Sequence, residues 1–259
     1  GINFLDTAPD YGTSESIIGE ALARTDRAAH IATKVQIPQE MTTDEVSKQK
    51  IRDSVLRSLE RLKVDCIKLL QIHNATAEDL VCPGLVEVFQ DLREQGLVES
   101  FGASIYDQEL MPTVVQNNTM NSIQVPFSLI DRRFGDGSLV NAVSKKVTPI
   151  IRSIFLKGAL TPRYRKFPTE LSALCEHIRM IEDWGVQRGL TLPELALRFV
   201  FSFNKDSVLL VGAKHMSEIE EACRAVRGDG FSQEDMASLC GFGLEELSLI
   251  DPRYWPKLG

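Results

Sequence analysis

Seven short and nearly continuous apolar segments alternate along the chain with longer segments of helical periodicity. Such apolar runs, without strict alternation of polar residues, are typical of strands buried on both faces of a parallel sheet. The predicted strands are Ile2–Asp6, His30–Val35, Cys66–Ile72, Val98–Ile105, Ser122–Leu129, Pro149–Phe155 and Ser207–Val211. The predicted helices are Ser14–Arg24, Thr43–Leu62, Ala77–Gln95, Asp107–Asn117, Ser138–Lys145, Glu170–Gly189, Leu192–Phe203, Ser217–Val226 and Ser232–Leu239.

This repeated strand–helix unit predicts an α/β fold of the (β/α)8 TIM barrel type. No linker or low-complexity stretch interrupts it, so residues 1–259 are predicted to form one domain. Seven strands are visible where the barrel has eight, and an open edge of buried strand is costly. We therefore expect the first β-α unit of the barrel to lie upstream of Gly1. A doubly wound open sheet is the alternative.

Charge and composition argue against two classes of partner. The formal net charge is −7 at pH 7 and no segment is strongly basic, which disfavours nucleic-acid binding. No apolar run approaches the ~20 residues of a membrane span, so no membrane is expected as a partner. The five cysteines form no CxxC pair and are interpreted as reduced thiols of a cytoplasmic protein. The oligomeric state is left open.

Three predicted strands end in a residue suited to proton chemistry. They end in Asp6, Lys34 and His73, and Tyr11 follows in the loop after the first strand. The carboxyl ends of parallel strands are where ligands bind. A cation beside a phenol stabilises the phenolate, so Lys34 can make Tyr11 a useful acid while Asp6 holds Lys34 as an ion pair.

His73 can donate a hydrogen bond to the same incoming oxygen, so the set suits protonation of a carbonyl oxygen while hydride arrives at the carbon. Each residue alone has a structural interpretation: a helix cap for Asp6, a surface lysine for Lys34, a loop aromatic for Tyr11 and a core histidine for His73. Their joint placement favours catalysis. No metal-ligand spacing is present, so no metal is predicted.

Three motifs carry a resemblance to a known family. The segments GINFLDTAPDYG at residues 1–12, IATKV at 31–35 and LLQIHN at 69–74 resemble signatures of the aldo-keto reductases. The likeness continues through FGAS at 101–104, IQVPF at 123–127, RSIFLKG at 152–158 and VGAK at 211–214. The resemblance implies a (β/α)8 barrel that reduces aldehydes or ketones with NADPH or NADH. It also implies a catalytic tetrad of Asp6, Tyr11, Lys34 and His73, with Tyr11 as general acid.

The resemblance further implies positions for the cofactor. Ser104 and Gln124 would bind the nicotinamide carboxamide, and Arg152 would stack on the ring. The pyrophosphate path would be lined by Ser153, Phe155 and Gly158. The adenosine end would be held by Gly212, Ala213, Lys214 and the start of the next helix, with Glu218 and Glu221.

Several positions depart from the family pattern. Ile105 replaces an asparagine that would contact the carboxamide, and Ala222 replaces one that would contact adenine. Arg152 stands where an aromatic residue often stacks, and its charge predicts a preference for the reduced cofactor over the oxidised one. Glu218 disfavours a 2′-phosphate, whereas Lys214 could pair with it. The choice between NADPH and NADH therefore stays open.

Three functions are compatible with these residues. The first is an NAD(P)H-dependent carbonyl reductase acting on a small molecule, which could be sugar-derived. The second is a catalytically weak, nicotinamide-binding regulatory or sensor subunit, and the third is an isomerase or lyase without nicotinamide. The basic segment containing Arg163, Arg165 and Lys166 could meet an acidic or phosphorylated sugar, or it could simply be solvated. Trp255 in the C-terminal tail could cover the site.

Overall fold

A computed structural model describes residues 2–38, 41, 43–203, 205–228 and 230–258. Gly1, which opens the first motif, lies outside the described residues. All seven predicted strands are present, with bounds that differ by a few residues. They are β1 (Phe4–Asp6), β2 (His30–Val35), β3 (Ile67–Ile72), β4 (Val98–Ser104), β5 (Met120–Pro126), β6 (Thr148–Arg152) and β7 (Val208–Leu209).

Helices occupy the segments between and after the strands. They are α1 (Ser14–Leu22), α2 (Glu45–Leu62), α3 (Ala77–Val81), α4 (Pro83–Glu94), α5 (Met111–Gln116), α6 (Ser138–Ser144), α7 (Ser172–Val186), α8 (Leu192–Phe203), α9 (Met216–Ala225), α10 (Gln233–Cys240) and α11 (Leu247–Ile250). Short 3-10 helices lie at Gln108–Leu110, Leu156–Gly158, Pro162–Lys166, Thr169–Leu171 and Pro252–Tyr254. Within the described residues, no helix is both long and apolar enough to cross a membrane.

The single helix predicted over Ala77–Gln95 is wrong, because the structure divides it into α3 and α4. Cys82 between them is extended, with φ −72° and ψ 115°. Pro83 disfavours a helical conformation for the residue before it and has no N–H to donate. It is well placed instead as the first residue of α4.

The described chain divides into two compact units. The first unit comprises the residues up to Gln124 together with Ala142–Thr148, and the second comprises Val125–Asn141 and Pro149–Gly259. The interpretation of the chain as one domain stays a prediction, as does the expectation of a further β-α unit upstream.

The first unit contains a parallel sheet in which β1 to β5 are adjacent in chain order. Helix α2 packs beside it through an apolar stripe at helical spacing, formed by Ile51, Val55, Leu59 and Leu62. The strand register places Lys34 opposite Gln71 and Ser104 opposite Gln124. These polar side chains therefore meet at the carboxyl ends of their strands.

The second unit contains the parallel pair β6 and β7 and the helices from α7 to α11. Its C-terminal tail is tied down by a buried carboxylate, Asp251, which is 0% exposed. Arg253 contacts Asp251 at 2.7 Å and Arg133 contacts it at 3.3 Å. Burial alone would raise the pKa of Asp251, but the hydrogen bonds and charges of these two arginines outweigh it and hold that pKa below its ordinary value.

We expect Asp251→Asn to lower the free energy of unfolding at pH 7 by about 1.5–3 kcal/mol, the range for hydrogen bonds to a charged group. Because the native pKa is lowered, this stabilisation is present above the ordinary pKa of aspartate and is lost as the pH falls through the native value. Urea unfolding of the wild type and the variant at pH 7 and at pH 3 measures this difference in the free energy of unfolding. A difference between wild type and variant that grew on acidification would contradict the assignment.

Candidate active site

A buried ion pair lies at the carboxyl ends of β1 and β2. The ammonium of Lys34 is 2.6 Å from Asp6 Oδ2, and it also donates to the carbonyl oxygen of Thr7 at 2.9 Å. Lys34 is 1% exposed, although lysine is almost never fully buried unless it is paired. The sequence predicted this pair, and its burial excludes the alternative of a surface lysine.

The second oxygen of Asp6 is held by two glutamine amides. Gln71 Nε2 donates to Asp6 Oδ1 at 3.0 Å, and Gln124 Nε2 donates to the same oxygen at 2.9 Å. Gln124 Nε2 also donates to Gln71 Oε1 at 3.2 Å. A glutamine amide has two N–H donors, so the group that Gln124 can offer to a ligand is its carbonyl oxygen. The role of Gln71 was missed by sequence reasoning, although it lies near the end of β3, two residues before His73.

Tyr11 and His73 lie beside this ion pair. The Lys34 ammonium is 5.0 Å from the centroid of the Tyr11 ring. The Tyr11 and His73 rings meet edge to face, with centroids 6.1 Å apart and an interplanar angle of 86°. Tyr11 is 49% exposed, so a ligand in solution can reach it. All four predicted tetrad residues are therefore brought together in the first unit.

Asp10 is a further charged residue near His73. Its Oδ2 is 3.3 Å from His73 Nδ1 and accepts a hydrogen bond from Gln36. The predicted carboxamide ligand Ser104 is 2% exposed at the end of β4, and its carbonyl accepts from the Ala75 N–H at 2.8 Å. Ile105, which differs from the family pattern, follows Ser104 and is fully buried.

In the second unit, the turn after β6 has an unusual backbone. Ser153, Leu156 and Lys157 have positive φ angles of 63°, 43° and 53°. Residues other than glycine rarely adopt such angles, and they cluster at ligand-binding sites. Arg152 Nη1 donates to Ser153 Oγ at 3.3 Å. This is the turn for which the resemblance implied the pyrophosphate path.

A groove of about 650 Å³ lies in the second unit. It contains four of the predicted cofactor residues, namely Phe155, Gly212, Glu218 and Glu221. Arg152, Ser153, Gly158, Ala213 and Lys214 are not among the residues that line it. Sequence reasoning missed two charged residues of the lining, Glu194 and Arg224. The helical spacing of Arg224, three residues after Glu221, was the signal that could have found it.

Two backbone N–H groups just before α9 are hydrogen-bonded to a side chain of that helix. The Glu218 carboxylate accepts hydrogen bonds from the backbone N–H groups of Lys214 at 2.6 Å and of His215 at 3.1 Å. These two bonds hold the pKa of Glu218 below its ordinary value. The N–H groups of Lys214 and His215, which could otherwise bind a phosphate, are therefore already hydrogen-bonded.

The described residues contain no group of three or more His, Cys, Asp or Glu that could hold a metal ion. The basic segment after Gly158 forms the short helix Pro162–Lys166, and Arg165 is paired with Glu182 at 2.6 Å. Tyr164 donates to the same carboxylate at 2.7 Å. Trp255 is 8% exposed and packs edge to face against Phe167.

The chain is similar to known proteins in sequence and in fold. A family model described as "Aldo/keto reductase family" matches residues 1–242. The chain is 27% identical to "Uncharacterized oxidoreductase YqkF" of Bacillus subtilis (strain 168), over 92% of this chain and 82% of that protein. It is 26% identical to "NADH-specific methylglyoxal reductase" of Escherichia coli (strain K12), over 87% of this chain and 79% of that protein.

A solved structure, the glycerol dehydrogenase AKR11B4 from Gluconobacter oxydans, superimposes with a TM-score of 0.76. It is 25% identical, and the alignment covers 97% of this chain and 83% of that one. These similarities confirm the barrel-type α/β fold class predicted from the alternating pattern.

Proposed function

Because the chain belongs to the aldo/keto reductase family and is an NAD(P)H-dependent oxidoreductase, we propose that Tyr11 is the general acid of its carbonyl reduction. The bound cofactor supplies hydride to the carbonyl carbon. Tyr11 would donate its phenolic proton to the carbonyl oxygen, and His73 would hydrogen-bond that oxygen and orient it.

The observation that carries this proposal is the buried Lys34–Asp6 pair beneath the Tyr11 ring. A buried ammonium 5.0 Å from the ring centroid favours the phenolate that remains after proton transfer. Asp6 keeps Lys34 charged and in place, while Gln71 and Gln124 fix the orientation of the Asp6 carboxylate. The site therefore supplies both an acid and a stabiliser for its conjugate base.

We propose cofactor-binding residues for each unit by itself. In the first unit, Ser104 and the carbonyl oxygen of Gln124 would bind the carboxamide. In the second unit, Arg152, Ser153, Phe155 and Gly158 would contact the ring and the pyrophosphate. The groove and the segment before α9 would hold the adenosine end, through Gly212, Ala213, Lys214, Glu218 and Glu221.

The charge of the groove supports a preference for NADH over NADPH. Its lining contains three carboxylates, Glu194, Glu218 and Glu221, against one guanidinium, that of Arg224. NADPH carries an additional phosphate, which would face this negative lining and would have to displace Glu218 from the start of α9. The NADH-specific name of one relative agrees with this proposal.

We expect NADH to bind about tenfold more tightly than NADPH, a difference of ~1.4 kcal/mol. Glu218→Gln is expected to tighten NADPH binding more than NADH binding, because it removes a charge that repels only the phosphate. Titration of cofactor fluorescence measures the dissociation constants of NADH and NADPH. Glu220→Gln, on the same helix but outside the groove lining, is the control. Tighter binding of NADPH by the wild type would refute the role given to Glu218.

The substrate is proposed to be a small carbonyl compound, sugar-derived or of similar size. The basic segment gives little support to a phosphorylated sugar, because Arg165 is already paired with Glu182. Turnover of methylglyoxal, glyceraldehyde and free and phosphorylated aldoses, measured as loss of NADH absorbance, tests which of these substrates the protein reduces.

We also propose a cytoplasmic location, because five unpaired thiols suit a reducing compartment. Neither nucleic acid nor membrane is proposed as a partner.

A second candidate function is a nicotinamide-binding subunit with weak catalysis. It is favoured by Ile105, which is fully buried and has no polar group for the carboxamide, and by Ala222 in the groove. Cofactor binding without turnover of any aldehyde in the panel would support this candidate. Turnover that depends on Tyr11 would refute it.

A further inference from the structure

A buried carboxylate lies outside the tetrad, at the start of α1. Glu15 is in the first turn of this helix and is 1% exposed. Its Oε1 accepts a hydrogen bond from Thr33 Oγ1 at 2.6 Å, and its Oε2 lies 2.7 Å from Nε and 2.6 Å from Nη2 of Arg61. We call Glu15, Thr33 and Arg61 the Glu15 cluster. It connects α1 to β2 and to the last turn of α2.

The backbone of α1 lies directly against the end of α2. A Cβ atom at Gly19 would lie 2.3 Å from the carbonyl oxygen of Arg61 and 2.7 Å from the carbonyl carbon of Leu62. Only glycine permits this approach. The Gly19 contact sets the distance between the helices, and the directional bonds of Glu15, one turn earlier, set how the first turn of α1 is oriented.

This first turn carries the loop that presents Tyr11. The Ser14 N–H donates to the carbonyl oxygen of Tyr11 at 3.2 Å. Thr7 Oγ1 donates to Ser14 Oγ at 2.9 Å, and the Thr7 carbonyl oxygen accepts from the Lys34 ammonium. At the other side of the cluster, Thr33 is the residue before Lys34. Lys34 is therefore one peptide bond from the Glu15 cluster, and Tyr11 is connected to it through one hydrogen bond to Ser14 and the peptide bond from Ser14 to Glu15.

We infer that Glu15 is a positioning residue for the reduction, an inference that rests on the proposed function. The Glu15 cluster holds the start of α1 against β2, so that the centroid of the Tyr11 ring stays 5.0 Å from the Lys34 ammonium. The Glu15–Arg61 ion pair, with Glu15 buried and Arg61 34% exposed, adds little stability of its own. Its hydrogen bonds, however, permit only one arrangement of the two elements, and positioning requires that property.

The test uses the full chain with Thr33→Val, which removes the donor to Glu15 but keeps the side-chain shape and the Glu15–Arg61 pair. We expect kcat to fall about 10- to 100-fold, as for a small misplacement of a catalytic group. KM and the dissociation constant of NADH should stay within about twofold of wild type. The solvent deuterium isotope effect on kcat should rise, because proton transfer from a misplaced acid becomes slower. Thr33→Ser should restore all of these values.

Two further variants separate positioning from stability. Glu15→Gln should lower kcat in the same direction as Thr33→Val. Arg52→Met breaks ion pairs of α2 with Asp91 and Glu45, and it should lower the melting temperature without changing kcat or the isotope effect.

A wild-type kcat and isotope effect in Thr33→Val would overturn the inference, as would an equal loss of activity in Arg52→Met. An absence of turnover by the unmodified chain would instead refute the proposed function itself, and the inference with it.

Discussion

Replacement of Tyr11 by phenylalanine is expected to lower kcat for a simple aldehyde by about 10²–10⁴-fold, the range for loss of a general acid. The phenol is 49% exposed, so removal of its hydroxyl group creates no buried cavity and leaves the fold intact. NADH binding should change by less than about twofold, because the proposed cofactor contacts do not include this hydroxyl. Steady-state kinetics, fluorescence titration and thermal unfolding measure the three quantities.

Tyr254→Phe is the matched control for this experiment. Tyr254 is also exposed, at 62%, and it lies in the C-terminal tail of the second unit. Its loss of a hydroxyl group should change neither kcat nor stability. If Tyr11→Phe retained the wild-type rate, Tyr11 would not be the acid, and the regulatory-subunit function would become the better explanation of the site.

Removal of the Asp6 carboxylate is expected to have the largest effect on stability. In Asp6→Ala, the Lys34 ammonium, which is 1% exposed in the wild type, loses its carboxylate partner and keeps the Thr7 carbonyl. Breaking a buried pair in this way costs about 3–5 kcal/mol of folding free energy. Activity should also fall, because a displaced or neutral Lys34 no longer stabilises the phenolate of Tyr11.

A double variant separates the two consequences. Adding Lys34→Met to Asp6→Ala removes the buried ammonium that has lost its carboxylate partner, so part of the lost stability should return while activity should not. Glu99→Ala is the control, because it breaks the exposed pair with Lys68, which is worth about 0–1 kcal/mol. Denaturant unfolding of the four proteins tests the argument. It would be contradicted if Asp6→Ala were no less stable than Glu99→Ala.

Local sequence patterns were sufficient for the strands and for most of the helices, and they also predicted the tetrad. Each strand is a short apolar run, and each predicted catalytic residue stands at or soon after the end of such a run, as Lys34 does after Ile31-Ala32-Thr33. Because parallel strands end at one edge of a sheet, these positions imply proximity without any knowledge of register. The break at Pro83 was also a local signal, and it was overlooked.

Tertiary structure decided which polar groups form hydrogen bonds that hold those residues in place. Gln124 reaches Asp6 across 118 residues of sequence, and Glu15 reaches Arg61 across 46, through strand register and helix packing that no local pattern encodes. The occupation of the α9 start by Glu218 and the charge of the groove likewise depend on side-chain placement. The sequence by itself therefore determined the fold class, because apolar periodicity acts over a few residues, and it predicted the acid–base chemistry from the residues at the strand ends. Only the folded chain determined how that chemistry is held in position, because hydrogen bonds between distant residues depend on register and packing.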